Sequence, residues 1–339
     1  MDFICGFRQS HAIDSIHVAL SEAKIIVPFE PVILFFFFVL AAGWARSDLK
    51  LPAFLYESLS IFLLLAIGLK GGVELARYPL QDLIGPIAVV IASAMLIPLT
   101  AFLVLLRGGK LGRSDAASIA AHYGSVSVVT FAVAATFLAG LDVATEGYMV
   151  AFLVLLEFPA LMIGVVLARR TSSEAQWGRL LHEVFSGKSI VLLVGGLFIG
   201  WVAGPEGIKP LDRLFFDLFK GVLAFFLLEM GLVVASRFSD LRRAGPFLIG
   251  FAMAMPMGAG LLGVLTANLI DLSVGGATLL ATLYASASYI AAPAAMRVAV
   301  PEANPALSIG AALGITFPFN VLVGIPIYYW LAVRLQGVL

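Results

Sequence analysis

Tyr123-Gly124-Ser125-Val126-Ser127 and Tyr284-Ala285-Ser286-Ala287-Ser288 stand 161 residues apart and read as one motif written twice. Each interrupts an apolar run with small and hydroxyl residues. Four further pairs accompany them: Gly43-Trp44 with Gly200-Trp201, Gly68-Leu69 with Gly231-Leu232, Gly85-Pro86 with Gly245-Pro246, and Phe158-Pro159 with Phe317-Pro318. In chain order the five separations are 157, 163, 160, 161 and 159 residues. One dipeptide match means nothing, but five in order at nearly constant spacing mark an internal repeat.

Composition decides the medium in which this repeat folds. Hydrophobic residues make up 61% of the 339-residue chain and charged residues 12%, with a mean hydropathy of +1.04. A water-soluble protein must keep enough polar surface to stay dissolved, and one core cannot hide this much apolar side chain. Lipid removes the conflict, because it accepts helices that are apolar all round. A helix needs roughly 20 apolar residues to cross the hydrocarbon. Ten spans fit that rule, at about 30–45, 52–75, 82–106, 114–139, 146–168, 189–203, 210–236, 246–268, 274–299 and 306–334. The formal net charge of zero argues against a nucleic-acid partner. The single cysteine, Cys5, rules out an intramolecular disulfide, and no CxxC or Cys/His cluster points to a metal or haem. Residues 1–30 lack the basic start, apolar stretch and cleavage site of a signal peptide and read as a short amphipathic lead-in.

Five spans per half is an odd number, so the second half enters the membrane upside down. The expected fold is therefore all-α and polytopic, with ten transmembrane helices in a 5+5 inverted repeat and broken fourth and ninth helices. Residues 1–168 form the first repeat, 169–188 a cytoplasmic linker and 189–339 the second repeat. Secondary transporters use such repeats for alternating access around a central site. With both termini outside, the inner loops collect Arg46, Lys50, Arg107, Lys110, Arg113, Arg169, Arg170, Arg179, Lys188, Arg237, Arg242, Arg243 and Arg297. That is 13 of the 21 basic residues, and the excess sets this orientation in a cell membrane.

Small residues let a helix unwind where it lines a cavity, and the freed N–H groups then face that cavity. A half-helix N-terminus also carries partial positive charge, which suits a small anion. Gly124, Ser125 and Ser127 in span four, with Ala285, Ser286 and Ser288 in span nine, are therefore the expected substrate-binding residues. Pro293 supports the second break, since it removes a backbone donor one turn from Tyr289. The competing explanation is close helix packing of the GxxxG kind, which an isolated Ser-x-Ser would favour. Repetition at matched positions favours the site.

Ionisable groups inside spans are costly and therefore informative. Glu157 sits beside an expected break at Pro159, and Asn320 follows another at Pro318. Together with Thr130 and Tyr289 they are the candidates for coupling an ion. His122 reads more readily as a packed, hydrogen-bonded histidine, and Glu57, Lys70 and Glu229 as residues near the interface or helix partners. No Ser/His/Asp order, carboxylate pair or phosphate-binding glycine loop is present, so catalysis is not expected. On the residues alone, transport of another small organic or inorganic anion, proton-coupled or not, stays open. So does a non-transporting membrane sensor.

The chain resembles the sodium-dependent bicarbonate transporters described in cyanobacteria and their broader bacterial relatives. The resemblance rests on Gly68-Leu69-Lys70-Gly71-Gly72, on Tyr123 to Thr130, on Glu157-Phe158-Pro159-Ala160-Leu161, on Ala285 to Pro293, on Ala303-Asn304-Pro305 and on Ile325-Pro326. It covers nearly the whole chain. It implies gate and core domains, a homotrimer in the lipid bilayer, and bicarbonate uptake driven by the sodium gradient, with no other cofactor. It also implies a site between the broken fourth and ninth spans, and for cyanobacterial members a PII-like regulatory partner. The chain departs from the family pattern at Val129, Tyr289, Leu313 and Phe317, where the relatives carry oxygen-bearing side chains. Those changes fall on the expected sodium site and spare the anion cradle.

Overall fold

The computed structural model describes residues 31–45, 47–49, 51–168, 178, 182, 185–236 and 245–336. The lead-in with Cys5, most of the linker, and the loop arginines Arg46, Arg237, Arg242 and Arg243 lie outside them, as does Lys50. Among the described residues the secondary structure is helical throughout. Eight helices are long and apolar enough to cross a membrane, and Pro31–Trp44 and Val274–Ala285 are shorter apolar helices.

In chain order the helices are α1 (Pro31–Trp44), α2 (Ala53–Leu75), α3 (Leu80–Arg107), α4 (Arg113–Gly124), α5 (Val128–Gly140) and α6 (Met149–Ala168). Then come α7 (Lys188–Ile208), α8 (Phe219–Ser236), α9 (Gly245–Leu269), α10 (Val274–Ala285), α11 (Ala291–Ala299) and α12 (Pro305–Leu335). Lys188 is thus the first residue of α7. Large apolar side chains such as Phe38, Phe54, Ile84 and Leu269 point outward, as a lipid-facing surface requires. The α4–α5 pair is the most enclosed of the spanning segments and α7 the least.

Two expected breaks are absent. Pro159 lies inside an uninterrupted α6. Pro318 lies inside α12, which winds as π-helix over Gly310–Thr316 and Asn320–Gly324 on either side of it. A proline lacks an N–H and crowds the carbonyl one turn back, and neighbouring helices with local π adjustment absorb both faults. Proline alone therefore does not open these spans. A kink at Gly204, with φ of 63°, was not foreseen and bends the end of α7 just before Pro205.

Helices α1, α2, α7 and α8 form one group. α2 packs along α7, and α1 along α8. Glycines set the first contact. A Cβ on Gly68 would lie 2.7 Å from the Leu193 carbonyl and 3.1 Å from the Gly196 Cα, while Gly72 and Gly200 face the opposing backbones just as closely. Gly68-x3-Gly72 and Gly196-x3-Gly200 are two small-residue faces set against each other, the device that brings membrane helices together without a hydrophobic drive. The α1–α8 contact repeats it, with Gly231 against the Phe36 carbonyl and Gly43 against Ala235. Leu193 follows Phe36 by 157 residues, the same spacing as Gly43 to Gly200.

The remaining helices form a second group around α4–α5 and α10–α11. Its far ends are tied reciprocally. Glu146, after α5, accepts from the Ser273 amide at 2.6 Å at the start of α10. Asp115, at the start of α4, accepts from the Asn304 amide at 2.7 Å, beyond α11. Trp44 apart, no hydrogen bond or ion pair joins the two groups among the described residues. They meet through apolar contacts, including Phe36 against Phe317 with ring centroids 5.5 Å apart.

Gly68→Ala should destabilise the protein by about 1–3 kcal/mol, because its Cβ meets backbone that cannot swing aside. Gly195→Ala, whose Cβ meets nothing within 4 Å, should be neutral. Thermal melting of the two variants in detergent compares them directly.

Candidate functional site

Span four stops at Gly124, a position where nothing larger than glycine fits. A Cβ there would lie 2.7 Å from that of Ala160 on α6 and 2.8 Å from Pro98 on α3. The chain then runs extended through Ser125, with φ −88° and ψ 158°, to Ser127, with φ −112° and ψ 112°. Ser127 restarts the helix as its N-cap. Its Oγ accepts from the Thr130 amide at 3.2 Å and the Thr130 hydroxyl at 2.9 Å. The first amides of α5, at Val128 and Val129, belong to the open donors that every helix start carries.

Span nine stops at Ala285, runs extended through Ser286, and restarts as α11 at Ala291. Pro293 falls in the first turn of α11, where a missing N–H costs nothing. The two breaks are stitched together. The Ser127 amide donates to Ser286 Oγ at 2.9 Å, and the Ser288 amide donates to the His122 carbonyl at 2.8 Å. Ser286 Oγ in turn donates to the Leu283 carbonyl at 2.8 Å, while Ser288 Oγ accepts from the Ala292 amide at 3.2 Å. Gly124, Ser125, Ser127, Thr130, Ala285, Ser286 and Ser288 are thus one locus.

The other candidates stand around it. Asn320 uses both ends of its amide: Nδ2 donates to the Ala285 carbonyl and Oδ1 accepts from the Tyr328 hydroxyl, each at 2.8 Å. Tyr289 sits in the second break with its ring edge against Phe317 and its buried hydroxyl near Ser127, without a well-formed hydrogen bond. Glu157 is buried on α6, one turn from Ala160, with Oε2 unpartnered and no hydrogen bond to either break. His122 shares Nδ1 with the Ser118 carbonyl at 2.7 Å and leaves Nε2 unpartnered, as is Ser125 Oγ. Unsatisfied buried polar atoms are rare enough that four beside one locus mark it for a ligand, water or ion. Among the described residues no three His, Cys, Asp or Glu side chains gather as metal ligands.

Two tyrosines carry a role that sequence reading used only as repeat markers. Tyr123 donates to Thr316 Oγ1 at 2.6 Å, and Thr316 donates onward to the Ala252 carbonyl of α9 at 2.7 Å. Tyr284 donates to the Val90 carbonyl of α3 at 2.7 Å, with Ser93 Oγ also 2.7 Å away. Tyr284 therefore props the second break directly against α3, and Tyr123 props the first against α12 and, through Thr316, against α9. The signal was present in the aromatic that opens both motifs, but its partner carbonyls have no sequence signature.

A cleft of about 410 Å³ lies between α2 and α8 on one side and α5 and α6 on the other. It reaches Ile67 and Ala132, which also border a narrow void against Ser60, Val128, Val129 and Ile290. Ile67 and Ala132 thus stand between the cleft and a void that borders the first turn of α5 and Ile290 of the second break.

Membrane-spanning helices with paired interruptions beside a cleft define a multi-pass membrane transporter. The model of the Na+-dependent bicarbonate transporter superfamily matches residues 31–333, and the chain belongs to that family. The family is one of transporters and not of enzymes. No curated protein matches the chain.

Tyr284→Phe should cost about 1–3 kcal/mol of stability, since it removes the hydroxyl's two hydrogen bonds, to the Val90 carbonyl and to Ser93. Tyr123→Phe should cost less, because Thr316 keeps its bond to Ala252. Equal losses in a detergent unfolding assay would contradict this assignment of donors.

Proposed function

We propose that the protein is a secondary active transporter that imports a small monovalent anion, bicarbonate, coupled to the sodium gradient. Residues 1–168 and 189–339 are then the two inverted five-helix halves, joined by a cytoplasmic linker, in a homotrimer with both termini outside. Three features support the inverted repeat: the exchanged α2–α7 and α1–α8 contacts, the paired tyrosine props, and the reciprocal ties at the helix starts. The single observation that carries the site is the crossing of two helix restarts. There α5 and α11 aim their N-termini at one place, and Ser125, Ser127, Ser286 and Ser288 supply hydroxyls.

No Arg or Lys falls inside either break, so amide dipoles and hydroxyls do the anion binding. This suits a small, singly charged anion that must be released again. Coupling falls to the oxygens nearby, those of Thr130, Tyr289, Glu157 and Asn320. Asn320 also braces the end of α10, so its substitution affects folding as well as flux. Glu157 has no cationic partner among the described residues, and a carboxylate that deep in a membrane protein is met by a cation or carries a proton.

Uptake of labelled bicarbonate into proteoliposomes tests the proposal. Accumulation should rise about tenfold under a tenfold inward sodium gradient, which supplies ~1.4 kcal/mol per coupled ion. Ser127→Val and Ser288→Val should abolish it while the protein still elutes as a folded species. Absence of uptake under both sodium and proton gradients sinks the reading. If Glu157 carries a proton, Glu157→Gln removes the response to a pH gradient alone.

A further inference from the structure

Four charged side chains line the cleft: Lys70 and Glu74 on α2, Glu146 before α6, and Lys220 on α8. Both carboxylates are engaged. Glu74 pairs with Arg77 at 3.0 Å, and Glu146 accepts from the Ser273 amide and, at 3.1 Å, its hydroxyl. Neither lysine has an ion-pair partner among the described residues. Glu74 is matched in charge by Arg77, whereas the Ser273 donors are neutral and leave Glu146 charged; two ammonium groups on two different helices thus face one unpaired carboxylate, and the cleft is net positive.

The internal repeat shows that this charge is not a general property of the fold. At the 163-residue spacing that relates Gly68 to Gly231, Phe219 corresponds to Tyr56, Lys220 to Glu57, Ala66 to Glu229 and Lys70 to Val233. Ala66 and Phe219 line the cleft beside the lysines. Their counterparts also gather, with Tyr56 in the electrostatic reach of both Glu57 and Glu229 and stacked on Phe226 at 5.3 Å. Where one end of the α2–α8 pair offers ammonium groups, the matching positions at its other end offer carboxylates. Packing does not require that, since the matched glycine contacts, α2 on α7 and α1 on α8, are alike.

We propose that Lys70 and Lys220 form a capture site for small monovalent anions, separate from the helix breaks and confined to this mouth of the protein. It rests on the transporter reading for its purpose, though not for its chemistry. Two ammonium groups between low-dielectric walls focus their field along the cleft and raise the local anion concentration. The carboxylates at the opposite end deny anions an equivalent stop there. Such an arrangement alters the rates of capture and release, while the gradients still set the direction of net flux.

Two measurements on the liposome-embedded protein test it. Amine modification by the anionic reagent trinitrobenzenesulfonate is compared with that by an uncharged succinimidyl ester, each lysine being read by peptide mass spectrometry. The anionic reagent should favour Lys70 and Lys220 over Lys188 and Lys209 by about fivefold, the worth of one unit-charge contact in water. High salt or added bicarbonate should erase the preference. An equal ratio at all four lysines overturns the site whether or not the protein moves bicarbonate. In transport, Lys70→Gln and Lys220→Gln should each raise KM by about fivefold, with a smaller change in maximal rate and recovery in the arginine variants. A wild-type protein that transports, alongside a double variant with unchanged KM, overturns the inference but leaves the transporter reading standing.

Discussion

Inside a bilayer an open backbone group finds no water, so every helix that stops mid-membrane must find partners for its amides and carbonyls. Here two stops solve the problem for each other. The Ser127 amide reaches Ser286, the Ser288 amide reaches His122, and the Ala285 carbonyl is taken by Asn320. Neither break is tenable alone. Much else in the surrounding helices serves to keep the crossing in register: the tyrosine props, the reciprocal ties of Glu146 and Asp115, and the glycine at 124 that admits α3 and α6 so closely.

That stitching divides the molecule mechanically. Directional bonds between distant segments fall within the α3–α6 and α9–α12 group, while the α1, α2, α7 and α8 group holds itself together by glycine-to-backbone contact. Among the described residues, Trp44 apart, no hydrogen bond or ion pair crosses the boundary, and the contacts there are mostly apolar. Hydrogen bonds have preferred geometry and resist sliding, whereas apolar packing can be exchanged for a neighbouring apolar packing at small cost. Two internally tied bodies with such a boundary are suited to shear or rocking. The breaks lie close to that boundary, with Ile290 and Val128 bordering the void that separates them from α2.

The sequence carried the broken spans because a repeat tests itself: Ser-x-Ser is ambiguous once and informative at matched positions. The same logic failed for Pro159 and Pro318, also a matched pair, because a proline's cost depends on whether neighbours and a π turn can absorb it. Nothing in the local sequence reports that. Gly196 escaped notice for a related reason, since its value lies in facing Gly68 on another helix. Asn320 was legible as an unusual polar residue in a span, yet its two hydrogen bonds, to Ala285 and Tyr328, depend on the π-winding of α12, which has no simple sequence signature.

Divergence between the halves is most telling where geometry is most alike. Matched glycines pack against matched carbonyls, so the scaffold is under the same constraint where α2 meets α7 as where α1 meets α8. The residues free of that constraint have separated in charge, with Lys220 against Glu57, and Ala66 against Glu229. In the breaks themselves, Ser125 Oγ is left without a partner while its counterpart Ser286 Oγ makes two bonds. A symmetric pair of breaks would present the same donors to a ligand from both sides. This pair presents one saturated serine and one open one, so in the transporter proposed above the ligand-facing capacity of the crossing lies more with the first break, while the second supplies the bracing.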